Sequence, residues 1–526
     1  MALIIQPFDS IVAARLLDFF NQRTPWQRWL WSTGVVLTIK EVLEASEAVR
    51  AAVLSEASLT NLTNSASIIV GRDPGAGDST QKRLLQESLR GAPKFMGFDW
   101  QRLTELAHEI EENYLVRWSI ALRSGANCPS AERTARSLAS HLLDSGFSLD
   151  FCHRWWTYKT HYEPGSKALW QIVEDAQSLV QQPSRNYQVM VAFESAPSGA
   201  GGMPTEWINR TEVSNWLKAN SFSTKLVRQT GGLLLSVDAR DPWAAVDFAG
   251  EIVNRLAARV TVGTRGRLRA FPTVWIAGEK VPFQLRRKQR ALDVSALHRE
   301  NQLYSVGPIN VVDSAIQLLE PLALSGSGPG PAIAGAWAAI EALLSGPEGK
   351  EHVLAADRIA SLVACSFPRA ELTTLSYKLE ALGGPVADRL RLCTTNEERS
   401  EIVVTAISTG AGLLFSNESD NAATARMRVL ISDPSSTLKD VYDHLQFAFR
   451  RLYRNRNLVL HWGKIDAVTL RASLRTTSPL VGAGMDRIAH EFFVDGIEPL
   501  VLAAKASINL AAVGSTYGPT VVDLLK

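Results

Sequence analysis

Apolar residues recur at three-and-four spacing over most of the chain, which is the pattern of helices with one buried stripe. In the first third, "IKEVLEASEAVRAAVL" (39–54) and "WQRLTELAHEIEENYLVRWSIAL" (100–122) carry it. The pattern changes between residues 183 and 300. There "YQVMVAFE", "GGLLLSVDA", "PTVWIAG" and "VPFQL" read as strands, with helices at "TEVSNWLKAN" and "PWAAVDFAGEIVNRLAARV". Helical spacing then returns in "IAGAWAAIEALLSG", "HVLAADRIASLVACSF", "TLKDVYDHLQFAFRRLYR" and "DRIAHEFFVDGIEPLVLAAKASINLAAV". The expected fold is multidomain and mainly α with an α+β middle region. Residues 1–182 would form a helical region with a sensory or regulatory role, 183–300 a small α+β domain, and 301–526 a helical bundle. The segment "SGSGPGPA" (Ser325–Ala332) is expected to be flexible, and no repeat of fixed period is visible.

Length supports this division, because 526 residues exceed what one compact core normally organises. A composition of 46% hydrophobic and 21% charged residues is that of an ordinary soluble protein, and a net charge of +2 implies no whole-molecule attraction to nucleic acid or membrane. No apolar run approaches the roughly 20 residues of a membrane helix. "MALIIQPFDSIVAARLLDFF" lacks the basic start and cleavage site of a signal peptide, with Asp9, Arg15 and Asp18 interrupting it. Cys128, Cys152, Cys365 and Cys393 are scattered, which argues against a disulfide framework or zinc ribbon. These features point to a cytoplasmic protein with no membrane partner. Eight tryptophans between Trp26 and Trp170 are expected to fill the N-terminal core.

Several stretches carry candidate chemistry. "SIIVGRDPGAGDSTQK" (67–82) looks like a phosphate loop but places Asp78 where the lysine belongs and Arg72 where a glycine belongs; a glycine-rich surface turn fits better. "FCHRWWTYKTHYE" gathers Cys152, His153 and His161, yet no second ligand pair exists for zinc. No G-x-S-x-G elbow is present. From Arg265 to Arg290, eight Lys or Arg stand against Glu279 alone, with Phe271, Trp275 and Phe283 between them. That stretch fits either a nucleic-acid backbone or a solvated sheet edge.

The most distinctive stretch is "FAFRRLYRNRNLVLHWGK" (447–464), with five Lys or Arg and no acid. Leu438, Val441, Leu445, Phe449 and Leu452 predict one inward face. On an ideal helix Asn457 lies ~40° and Arg454 ~20° from His461, whereas Arg456 lies ~140° away. The working arginine is therefore open between Arg454 and Arg456. A histidine beside fixed guanidinium groups and an amide suits phosphodiester cleavage, since histidine exchanges protons near neutral pH and arginine holds phosphate. RNA supplies its own nucleophile, the 2′-OH, so no metal or other cofactor is expected.

"RNLVLH" (Arg456, Asn457, His461) resembles the R-N-x-x-x-H signature of the HEPN superfamily of helical ribonucleases and nucleotide-binding domains. "AWAAIEALLSG", "LAADRIASLVA" and "FRRLYRNRNLVLHWGK" follow the helix order of its ApeA-like branch, a resemblance covering roughly 332–510. The resemblance implies a HEPN-like C-terminal bundle, dimeric, with the two motifs meeting at the interface. It also implies metal-independent endonuclease cleavage of RNA, tRNA included, leaving a 2′,3′-cyclic phosphate. His461 would do acid–base work, Arg456 bind phosphate and Asn457 orient the pair. Arg454 would support them, and Glu341 would anchor the arginine. Arg450, Arg451 and Lys464 would contact RNA. Many relatives act in toxin or antiviral defence systems, so a regulatory partner or phage-derived trigger is expected. The competing expectation is a non-catalytic HEPN-type module that holds a nucleotide or partner.

Overall fold

The computed structural model describes residues 7–125, 128–163, 167–196, 202–223, 229–264, 266–285, 292–324, 327–346, 352–410 and 413–526. The helical spacing of the first region resolves into α1 (Pro7–Phe20), α2 (Val35–Arg50), α3 (Glu56–Arg72), α4 (Ser79–Leu89), α5 (Phe98–Ser124), α6 (Ala131–Asp144), α7 (Leu149–Thr157) and α8 (Leu169–Gln181). Short polar side chains set several of the starts. Ser55, Asp78, Ser130 and Ser148 each accept a backbone N–H of the first turn that no helical carbonyl can reach.

The middle region holds β1 (Arg185–Ser195), β2 (Trp207–Asn209), α9 (Arg210–Ala219), β3 (Gly231–Ala239), α10 (Pro242–Thr264), β4 (Arg269–Ile276) and β5 (Phe283–Gln284). The sheet is antiparallel, in the order β2-β3-β1-β4-β5. Period-two alternation divides β1 between two cores. Val189, Val191 and Phe193 pack with Val246, Ala249 and Val253 of α10, while Met190 and Ala192 pack with Val213 and Leu217 of α9. The sheet is tied to the helices through Asp241, which accepts from the Ser148 N–H at 2.7 Å and its Oγ at 2.8 Å.

The rest of the chain is helical: α11 (Ala296–Arg299), α12 (Val311–Ala323), α13 (Pro329–Leu344), α14 (His352–Leu382), α15 (Pro385–Arg391), α16 (Asn396–Ser408), α17 (Glu418–Ser432), α18 (Pro434–Trp462), α19 (Leu470–Asp495) and α20 (Pro499–Ala512). The second half of "SGSGPGPA" begins α13, with Pro329 at the first helical position; residues 325–326 lie outside the described residues. The chain is thus mainly helical with a small antiparallel sheet in its middle.

The expected separation of residues 1–182 from 301–526 is not what the packing shows. A single buried apolar cluster runs from Val12 through Leu525 and draws on both ends of the chain. Trp31 meets Phe367 edge-on at 5.6 Å, and Trp29 donates its indole N–H to the Arg475 carbonyl at 3.0 Å. Buried Arg28 bridges to Glu371 at 2.8 Å and to Asp420 at 2.7 Å. Charges buried this deeply need partners, and these partners lie more than 300 residues away.

The glycine-rich turn is also more buried than a surface turn. Residues 74–76 form a short 3-10 turn between α3 and α4, and Gly75 and Ala76 are buried. A Cβ on Gly75 would stand 2.4 Å from the Tyr114 ring, so only glycine fits there. Asp73 accepts from the Tyr114 hydroxyl at 2.7 Å, and Asp78 caps α4 through a reciprocal pair with Gln81. The apolar run before the turn is helix rather than strand, which is incompatible with a phosphate loop. Among the described residues, no helix is long and apolar enough to cross a membrane.

Candidate active site on α18

Helix α18 runs for 29 residues from Pro434, capped by Asp433, to Trp462, and Gly463, with a φ of 69°, closes it in the left-handed conformation. Leu438, Leu445, Phe449 and Leu452 are buried, so the predicted stripe does face inward. The doubled "RNRN" therefore turns Arg454 and Asn455 inward, while Arg456 is half-buried beside a buried Asn457.

Arg454 and Asn455 are the interior pair. Arg454 gives Nε and Nη2 to a single oxygen of Glu41 on α2, at 2.9 and 2.6 Å. Arg451 gives Nε to the other Glu41 oxygen at 2.9 Å and Nη2 to Thr33 at 2.6 Å. Asn455 donates to the Arg451 carbonyl, Thr469 and Ser473, joining α18 to α19. Burial alone would raise the Glu41 pKa, but Arg454 and Arg451 outweigh it and hold the carboxyl below its ordinary range. These residues form a structural strut. Arg454 is not placed to support chemistry, and Arg451, 0% exposed, is not placed to bind RNA.

Arg456 and Asn457 form the other pair. Arg456 Nη1 donates to Asn457 Oδ1 at 2.9 Å and lies 3.0 Å from His461 Nε2. Arginine can only donate, so Nε2 accepts in this contact and the ring proton belongs on Nδ1. His461 is exposed, Arg456 half-buried and Asn457 buried. The ideal-helix angle would have favoured Arg454. A long side chain reaches across that angle, and Arg454 is already committed to Glu41.

The other expected contributors are paired within the chain or displaced. Arg450 makes a two-pronged contact with Asp357 of α14, 2.8 Å on each side. Lys464 lies 3.0 Å from Glu44 and 3.8 Å from Glu47. Glu341 is half-buried on α13, which runs antiparallel to α18: a Cβ on Gly330 would meet Val459, and Trp337 packs on Tyr453. This register puts Glu341 about 10 Å along the helix axis from the level of Arg456.

The remaining candidates resolve as packing. Trp275 and Phe283 of the basic stretch are buried in the two cores of the sheet, and Phe271 is half-buried against one of them; Arg267, Arg269 and Lys280 are exposed. Arg265 and residues 286–290 of that stretch lie outside the described residues. Cys152 is buried in α7, and His161 Nδ1 is 2.7 Å from the Thr160 hydroxyl. Among the described residues, the one acid or histidine cluster close enough to share an ion is Glu397, Glu401 and Asp523.

Sequence reasoning missed the acids of α2. Glu41, Glu44 and Glu47 recur every three residues within "KEVLEASE" and face Arg451, Arg454 and Lys464. The spacing is visible in the chain, but their partners lie some 400 residues away and no local signal links them. No family model, curated protein or solved structure matches the chain.

Proposed function

We propose that the chain is a metal-independent endoribonuclease whose reactive group is His461. The observation that carries this reading is the Arg456–His461 contact at 3.0 Å, fixed by Asn457 and open to solvent, while the neighbouring Arg454–Asn455 pair is locked inside. The reaction needs a base to take the 2′-OH proton as that oxygen attacks phosphorus. It also needs an acid to protonate the departing 5′-oxygen, and a cation against the pentacoordinate phosphate. Arg456 supplies the cation. One imidazole cannot take one proton and deliver another in the same step, so the reading includes a homodimer in which His461 of the partner subunit serves the second oxygen. Exposed Leu460, Ile465 and Val468 beside the motif support a face that another copy covers.

The grip of α2 on Arg451, Arg454 and Lys464 supports a regulatory role for the N-terminal helices, with a defence or stress trigger acting through them. The competing reading, a non-catalytic module that holds a nucleotide or partner, would keep Arg456 but has no use for a histidine poised at its guanidinium.

The test is cleavage of total RNA and tRNA in excess EDTA by the wild type, His461→Ala and Arg456→Ala. The wild type is expected to leave 2′,3′-cyclic phosphate ends. His461→Ala should lose at least about 100-fold in rate, the usual size of a general acid–base contribution, while still retaining RNA in filter binding. Equal cleavage by wild type and His461→Ala would refute the assignment. Binding without cleavage by the wild-type dimer would favour the binding module.

A further inference from the structure

A cavity of about 830 Å³ lies where the connection between α1 and α2 meets α11, α14, α19 and residues 522–525. Volumes of this size hold a small organic molecule. Trp26, Leu292, Ala483 and Leu525 give it apolar walls. It is set apart from His461: Asn455 joins α18 to α19 at Thr469 and Ser473, whereas the cavity opens along the second half of α19, between Pro479 and His490.

Two arginines in its wall keep donors that nothing in the chain fills. Arg369 of α14 gives Nε and Nη2 to a single backbone oxygen, that of Val522, at 2.9 and 2.5 Å, and has no carboxylate partner among the described residues. Its Nη1 is left unpaired there and is reached by solvent. Arg487 of α19 pairs with Glu491 one turn along the helix, and its Nη1 is likewise open. Burial pushes the Arg487 pKa below its ordinary value, and the nearby Arg369 charge adds to the effect. Two half-buried guanidinium groups thus stand near one another at the same cavity.

The acids that line the cavity do not neutralise them. Asp486 accepts from the Ala296 N–H at 2.6 Å and pairs with Arg299 at 3.1 Å. Glu397 pairs with Lys526 at 2.5 Å. Asp293 is exposed at the rim. His490 adds a polar group of another kind. Its Nδ1 lies 2.8 Å from Glu300, and a carboxylate only accepts, so Nδ1 carries the proton and Nε2 is left open.

We infer that this cavity binds a small organic anion whose phosphate or carboxylate bridges Arg369 and Arg487, with its body against the apolar walls. Like charges held side by side away from bulk water repel, and an anion between them relieves both. Guanidinium donors match the paired oxygens of either group. A bare inorganic ion would leave most of the volume unfilled. The inference stands apart from the ribonuclease reading. An occupant would touch segments from both ends of the chain and so hold their junction together.

The experiment is isothermal titration of the full chain with AMP, phenyl phosphate and benzoate, and with adenosine and benzyl alcohol as neutral counterparts. The variants are Arg369→Gln, which can still donate to the Val522 carbonyl, and Thr24→Trp at the half-buried rim. At least one anion is expected to saturate one site per chain, and the choice between phosphate and carboxylate follows from which. Its neutral counterpart should bind at least about 10-fold more weakly, the scale of losing charge-assisted hydrogen bonds. Arg369→Gln should weaken the anion by a similar factor with an unchanged circular dichroism spectrum. If that variant fails to fold, Thr24→Trp alone should block entry. The inference is overturned if none of the three anions saturates a site up to about 1 mM, the weak end of specific affinity. Equal affinity for the neutral counterpart would also overturn it. So would unchanged binding in a folded variant, or binding that Arg456→Ala abolishes and Arg369→Gln does not.

Discussion

Arg454 and Arg456 are two residues apart and chemically identical, yet their surroundings assign them opposite work. One is neutralised by a buried carboxylate; the other holds an exposed imidazole. Burial decides the matter for histidines as well. His141 is stacked on Tyr114 with ring centroids 4.3 Å apart, and its Nε2 has no partner. Burial, aided by nearby Lys40, pushes its pKa down to about 3 from 6.5. A lowered folded-state pKa gives stability that is complete above the unfolded value and lost as the pH falls. Between pH 6.5 and 3 the unfolded chain binds a proton that the folded chain refuses. His141 is therefore expected to cost up to about 1.4 kcal/mol of stability per pH unit on that descent. Urea unfolding of the wild type and His141→Phe at pH 7, 6 and 5 should show a steeper decline in the wild type. Parallel declines would contradict the assignment.

At the scale of elements, α2 and α18 are joined by charge as much as by apolar packing. Glu41 accepts three hydrogen bonds from two guanidinium groups, all out of water. Removing its charge leaves two buried cations facing a neutral amide. Glu41→Gln is expected to destabilise the fold by about 3–5 kcal/mol, the usual cost of breaking a buried ion pair from one side. Chemical denaturation would measure it, and a loss below about 1 kcal/mol would mean that the strut contributes little. Replacing Glu41 together with both arginines by apolar residues should recover much of the loss, because the cost lies in unpaired charge rather than in the missing bonds.

For the whole molecule, the two ends of the chain build one helical body and the sheet is inserted between them in sequence. Helix α1 packs on α17, the connection between α1 and α2 reaches α14 through Trp31 on Phe367, and α2 meets α18 through Glu41. Arg28 alone links the N-terminal region to two C-terminal helices. A fragment of residues 301–526 is accordingly expected to lack a cooperative thermal transition and to bind a hydrophobic dye, even though its helices have strong local patterns. A sharp transition by circular dichroism in that fragment would show that the C-terminal helices are self-sufficient.

Local information determined the local structure. The spacing of apolar residues was enough for the main helices and for four of the five strands of the middle sheet, β2 being too short to show it, because amphipathic periodicity is read over a few turns. The same reading placed Arg454, Arg456, Asn457 and His461 near one helix end, but left the working arginine open, with the ideal helix angle nearer for Arg454. Tertiary structure decided which arginine is available, that Trp275 and Phe283 face cores, that the glycine turn at Gly75 is packed, and that residues 1–182 and 301–526 share one interior. Each of these depends on what lies across a contact between distant segments. A buried charge takes whichever opposite charge folding brings to it, and for Arg454 that is Glu41, 413 residues away.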